Sequence, residues 1–184
     1  QTANGVQYAQ IMGVRGAGSW DIGWGWNTPS TNLEAAYEPN DPRKNRTILY
    51  LSTTTTTNLS IYGEVMPVYT SPTGSPPNPR YNNKVYSNPA IRASVGHRFG
   101  YWMNIRLLRY ADVVLMYAEA ANEVGGATNI TAARTALNSV RARARSGAPA
   151  GTLPDVTTTD QATLRAAIWQ ERRVELAMEH DRFF

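Results

Sequence analysis

RYADVVLMYAEAANEVGG, residues 109–126, is the stretch from which the fold can be read. Ala111, Val114, Leu115, Ala118 and Ala121 recur at steps of three and four, while Arg109, Asp112, Glu119 and Glu123 fall on the other side. A helix turns once every 3.6 residues, so this spacing lays one apolar stripe along one face and predicts an amphipathic helix. Gly125-Gly126 stops it, because glycine accepts the left-handed conformation in which helices end. A second helix is predicted over residues 130–145, with Ala133, Ala136, Leu137, Val140 and Ala144 inward and Ser146-Gly147 and Pro149 ending it. So short a link implies an antiparallel αα-hairpin.

A third helix is predicted from Asp160, a good N-cap, to about residue 180. Leu164, Ala167, Val174 and Met178 form its stripe, and Glu171 sits in the middle of it. A carboxylate among core positions is costly unless it is paired. Arg106, Arg109, Arg141 and Arg172 are the candidate partners, so the expectation is a partly buried Glu171–arginine pair locking this helix onto the hairpin. Glu171, Glu175 and Glu179 stand at i, i+4 and i+8 on one side, which suits ion pairing better than hydrolysis by two carboxylates flanking a bond. In RARAR, residues 141–145, Arg141 and Arg145 share a face and Arg143 points away; salt bridges to neighbouring helices are expected.

Before residue 100 the chain has another character, rich in Pro, Gly, Asn, Ser and Thr. SPTGSPPNP, residues 71–79, reads as an irregular loop. Short strands are predicted over residues 47–53, leading into the threonine run 53–57, and over residues 83–86. Thr31-Asn32-Leu33-Glu34 fits a capping box, which places a short helix over residues 32–37. The fold class is therefore mainly α: a tetratricopeptide-like αα-hairpin plus a further helix, after an irregular, loop-rich first half with a few short strands. The expected division is a ligand-presenting segment over residues 1–100 and a helical segment over 101–184.

With 184 residues the chain is long enough for a hydrophobic core, and its 42% hydrophobic and 17% charged content is that of a globular protein. The net charge is +4, but the arginines are scattered rather than gathered into one basic face, which argues against nucleic acid as a partner. The chain has no cysteine, which excludes disulfides, zinc–thiolate sites and thiol catalysis. No nucleotide-binding, zinc-protease or serine-hydrolase motif is present, His97 and His180 are the only histidines, and no catalytic residue, metal or cofactor is assigned. The ends, at Gln1 and Phe183-Phe184, read as those of a portion of a longer protein.

SWDIGWGW, residues 19–26, puts Trp20, Trp24 and Trp26 on a glycine-rich stretch. Such rings either fold back to fill gaps in the scaffold or remain open as a stacking platform. A sugar ring has an apolar C–H face that lies flat on an indole, while its hydroxyls need polar partners. Trp20, Trp24 and Trp26 supply the faces, and Tyr8, Asp21 and Asn27 the polar groups, of a candidate ligand site.

RLLRYADVVLMYAEAANEVGG, AARTALNSVRARA and IWQERRVELAMEHDRFF, in that order, resemble the C-terminal signature of the SusD/RagB family, and PSTNLEAAYEPNDPR, residues 29–43, is similar to a family segment ending in D-P-R. The resemblance implies a non-catalytic, cell-surface glycan-binding protein with a tetratricopeptide-like scaffold. It implies an outer-membrane lipoprotein of Bacteroidetes, held by a lipid anchor absent from this chain, that delivers oligosaccharide or another nutrient oligomer to a SusC-like TonB-dependent transporter. In that setting Arg109, Asp112, Glu119, Arg141, Glu171 and Arg172 are scaffold residues. The alternatives are a tetratricopeptide-like protein-interaction scaffold and a glycan-active hydrolase.

Overall fold

The computed structural model describes residues 7–16, 22–51, 61–95 and 103–179. In chain order its elements are α1 (Tyr8–Met12), α2 (Thr31–Ala36), α3 (Pro42–Thr47), β1 (Ile48–Tyr50), β2 (Arg80–Asn82), α4 (Pro89–Val95), α5 (Tyr110–Val124), α6 (Ala127–Ala144) and α7 (Gln161–Glu175), with a 3₁₀ turn at Asn83–Val85. The fold is mainly helical with one small sheet, as the sequence predicts. The chain forms a loop-rich unit, Gln1–Ser30 with Asn45–Ile105, and a helical unit, Thr31–Lys44 with Arg106–Phe184. Compared with a single division near residue 100, Thr31–Lys44 has moved to the helices. Three polar anchors explain this: the Tyr37 hydroxyl donates to the Val174 carbonyl at 3.2 Å, Glu38 accepts from Arg141 at 2.7 Å, and Arg43 pairs with Glu171.

In the helical unit, Gly125 and Gly126 alone join α5 to α6, at φ 73° and 80°. Leu115, Ala118, Ala133, Leu137, Leu164 and Ile168 are fully buried, and Ala121, Ile130 and Val140 complete the cluster. Alanines let the backbones approach while leucines fill the space between them, and truncating one such leucine to alanine costs about 2–5 kcal/mol. The predicted helices are present, with α6 starting three residues early. Asp160 caps α7 as predicted, its carboxylate accepting the Thr163 N–H at 2.8 Å. Asn122 and Gln161 latch α5 to α7 reciprocally, each side-chain amide donating to the other's carbonyl at 3.0 and 2.6 Å.

One face of α6 holds the connection to α7. Arg134, Asn138, Arg141 and Arg145, spaced at three and four residues, donate to the carbonyls of Thr157, Val156, Pro154 and Leu153 respectively. The Val156 N–H returns a bond to Asn138 at 2.8 Å. Sequential residues of an extended segment thus meet residues one helical turn apart.

α7 ends at Glu175 rather than near residue 180. At that end the Arg109 guanidinium donates to the Glu175 carbonyl at 3.1 Å, satisfying one of the carbonyls that the last turn leaves without an intrahelical partner. Met178 then takes φ 66° and is only half-buried, so it is not part of the core stripe; Ile168 is, with Ala167 partly buried beside it. Since the helix has ended, Glu179 is not in helical register with Glu171 and Glu175.

In the loop-rich unit, β1 and β2 pair antiparallel in the register Ile48↔Asn82, Leu49↔Tyr81, Tyr50↔Arg80. The first strand falls within its predicted range, but the second lies three residues early. The Asn82 side chain explains the shift: it accepts the Lys84 N–H at 2.9 Å and turns the chain into the 3₁₀ turn where a strand had been predicted. Val14, Ile22, Leu49, Leu51, Met66, Tyr81 and Tyr86 form the core of this unit. Residues 71–79 contain no helix or strand, and the threonine run 53–57 lies outside the described residues. The helix α2 starts at Thr31, one residue before its predicted start, so Thr31 is its first residue rather than its cap.

Candidate functional site

The site is built on α1. A helix of five residues cannot use up its own C-terminal carbonyls, and the chain that returns past it takes them. The Trp24 N–H donates to the Gln10 carbonyl at 2.7 Å and the Trp26 N–H to that of Ile11 at 3.0 Å. The Gly25 and Ile22 N–H groups donate to Gly13 and Val14 at 2.9 and 3.1 Å. Four backbone bonds therefore strap residues 22–26 to residues 10–14.

The glycines are there for contact as much as for turning. A Cβ on Gly23 would fall 2.5 Å from the Gly13 Cα, which no side chain tolerates. Gly25 combines φ 69° with a Cβ position 2.9 Å from the Arg15 Cβ. Ile22 turns into the core at 5% exposure, whereas Trp24 and Trp26 are 42% and 62% exposed. Their ring centroids lie 5.8 Å apart with planes inclined by 54°, so the two indoles make an angled pair open to solvent.

Asn27 follows directly, exposed and at φ 51°, with its amide donating to the Met12 sulfur at 3.5 Å. Asn82 donates to the same sulfur at 3.6 Å, so Met12 ties the end of the strap to β2. Tyr8 begins α1 and is half-buried. Trp20 and Asp21 lie outside the described residues. The structure thus brings Trp24, Trp26 and Asn27 together at the surface. Among the described residues no group of His, Asp and Glu is placed to hold a metal ion.

The six expected scaffold residues all lie in the helical unit. Glu171, 2% exposed, is held between Arg43 and Arg141, the latter at 3.0 Å. Of the four candidate partners only Arg141 pairs with it; Arg106 is exposed, Arg109 binds Glu175 at 3.0 Å, and Arg172 lies 2.8 Å from Asp112 as an ion pair without hydrogen-bond alignment. The second partner, Arg43, closes the D-P-R of residues 41–43 and is itself oriented by Asp41 at 2.8 Å. Its separation of 128 residues from Glu171 hides it from any helical pattern, leaving the D-P-R itself as the only signal.

Glu175 is equally buried and takes Arg43, Arg109 and Arg143. Arg143 therefore does not point away from its neighbours as expected; its long side chain reaches Glu175 at 2.6 Å. Burial by itself pushes the Glu175 carboxyl up, but the bonds and charges of Arg143 and Arg109 outweigh it and hold the group below its ordinary value. Burial likewise works against the Arg43 charge, and Asp41 and Glu171 more than restore it. Glu119 accepts the Trp169 indole N–H at 2.7 Å.

The helical unit has a surface feature of its own. Tyr110, Val113, Val114 and Tyr117 of α5 face Ala132, Thr135, Ala136 and Ser139 of α6 across a cavity of about 570 Å³. Tyr110 and Tyr117 are 83% and 57% exposed.

The SusD family model matches residues 24–184. The chain is 30% identical over 181 residues to SusD-like protein P2 of Formosa agariphila, covering 96% of this chain and 34% of that protein. It is 41% identical over 83 residues to SusD-like protein P38 of the same organism, covering 44% of this chain and 16% of that one. A SusD-like protein from Bacteroides fragilis superposes with a TM-score of 0.67 at 24% identity, over 96% of this chain and 39% of that chain. A SusD-like carbohydrate binding protein from Bacteroides fragilis superposes with a TM-score of 0.61 at 24% identity, over 97% and 38%. The chain spans about a third of the length of the first of these relatives. The family match covers most of the chain, including its three long helices, and the chain belongs to the SusD family.

Proposed function

We propose that this chain is part of a non-catalytic glycan-capturing protein on the extracellular face of the outer membrane, which passes oligosaccharide to a SusC-like TonB-dependent transporter. One observation carries the reading: two neighbouring indoles, both exposed, stand on a backbone that four hydrogen bonds strap to α1 and the residues after it. A backbone already held in place loses little freedom when a pyranose ring lands on its indoles, so more of the stacking energy appears as affinity. The carbohydrate-binding description of one Bacteroides fragilis neighbour supports the same chemistry. Capture and release need no acid, base or nucleophile beside the rings.

Titration with oligosaccharides, followed by tryptophan fluorescence, tests the reading. Trp24→Ala is expected to weaken binding about tenfold, the loss of one aromatic stacking contact. Unchanged affinity in that variant would remove the indole pair from the site.

A protein-interaction role for the αα-hairpin is the second reading, favoured by the groove between Tyr110 and Tyr117. A chain carrying Tyr117→Glu that binds oligosaccharide as the wild type does assigns that groove to something other than glycan.

A further inference from the structure

A second aromatic device in the loop-rich unit has no part in the site above. Tyr62, 44% exposed, stacks on Tyr86, which is 5% exposed, with centroids 5.7 Å apart and planes inclined by 21°. Tyr86 is clamped from several directions. It belongs to the unit's core, its hydroxyl donates to Glu64, and the Arg92 guanidinium lies over its ring at 5.5 Å from the centroid. Arg92 is fixed in turn by Glu64 at 2.5 Å and by the Ser87 carbonyl. Beside Tyr62, Ile61 and Val65 are 60% and 55% exposed. A buried ring and an ion pair thus hold one exposed ring flat, next to apolar side chains left in water.

We propose that Tyr62 is a second carbohydrate-stacking platform, built for an uncharged pyranose ring. The proposal rests on the glycan-binding reading of the chain. Tyrosine supplies a rigid apolar face with few rotatable bonds, and here the ring beneath it removes most of that remaining freedom. Arg92 and Glu64 neutralise each other, and both Glu64 oxygens are engaged, one by Arg92 and the other by the Tyr86 hydroxyl. With those charges paired off within the protein, the platform suits the apolar face of a neutral ring better than a uronate or sulfate group. Both platforms rest on one core, because Ile22 of the indole strap and Tyr86 share it.

The test is calorimetric titration of the whole chain with neutral cello-, malto- and xylo-oligosaccharides of increasing length, beside oligogalacturonate. Tyr62→Ala is expected to weaken the neutral oligomer that binds best by about tenfold, with melting temperature unchanged and Tyr62→Phe restoring affinity. Tyr62→Leu, which keeps the apolar contact with Tyr86 but removes the aromatic face, is expected to bind as weakly as Tyr62→Ala. Wild-type affinity in both Tyr62→Ala and Tyr62→Leu, with Trp24→Ala impaired, overturns this proposal and leaves the indole site standing. Full affinity in Tyr62→Leu with loss only in an unstable Tyr62→Ala marks the residue as a brace and also overturns it. Preference for oligogalacturonate through Tyr62 overturns the ligand class, and a wild-type chain that binds none of the sugars overturns both readings.

Discussion

The helical unit buries two carboxylates, whereas the loop-rich unit exposes two indoles. Glu171 and Glu175 are 2% and 4% exposed, Trp24 and Trp26 42% and 62%. Each inverts the usual distribution of residue types. The inversion is stable in each place for its own reason. Buried carboxylates survive because Arg43, Arg109, Arg141 and Arg143 surround them. Exposed indoles are held because the backbone beneath them is strapped to α1. We read the difference as scaffold against ligand surface: carboxylates enclosed by arginines have little left to offer a ligand, whereas indole faces that meet water do.

Stability measurements can break this contrast. Glu171→Gln is expected to have the largest effect, about 3 kcal/mol of destabilisation, because Arg43 and Arg141 each lose one buried carboxylate and keep only Asp41, Glu175 and Glu38 between them. A melting temperature equal to that of wild type would show the ion pairs to be incidental. Acidification attacks the same cluster reversibly. Glu175 has a folded-state pKa below its unfolded value, so its contribution is fully present above the unfolded pKa and disappears as pH falls through the folded one. Thermal melts across the acid range are expected to show falling stability, with a shallower slope in Glu175→Gln; identical slopes would reject the linkage.

Gly23→Ala comes next in size. The added methyl meets the Gly13 backbone, which has no flexible end to give way, so the strap must shift at a cost of about 1–3 kcal/mol. Oligosaccharide affinity is expected to fall with it, although no ring has been removed. Preserved affinity would show that the strap does not set the indole angle. The smallest effect on stability belongs to Trp26→Ala, expected within about 0.5 kcal/mol of wild type by denaturant titration. A larger loss would make Trp26 a packing residue and blur the line between the two units.

Residues 109–126 contain their own evidence for a helix: the apolar stripe, the polar face and the two glycines that end it. Asp160 likewise announces the start of α7, since a cap needs only the residues that follow it. The buried carboxylate at Glu171 was legible as a demand for a cation, and Arg141 as one answer. The indole pair was legible as chemistry, but not as geometry, because nothing in WGW tells that Gly23 abuts Gly13. Where the second strand and α7 would stop was equally hidden: an Asn82 side chain turns on its own backbone after the one, and Arg109 reaches across from the start of α5 to a last-turn carbonyl of the other.

Helix type, caps and the need to neutralise a core charge follow from interactions within about four residues of chain, so the sequence alone determined them. The choice of Arg43 from 128 residues away, the contact of two glycine backbones and the end of α7 depend on which segments meet in space. Only tertiary packing decides those, because burial and backbone approach belong to pairs of segments rather than to any one of them.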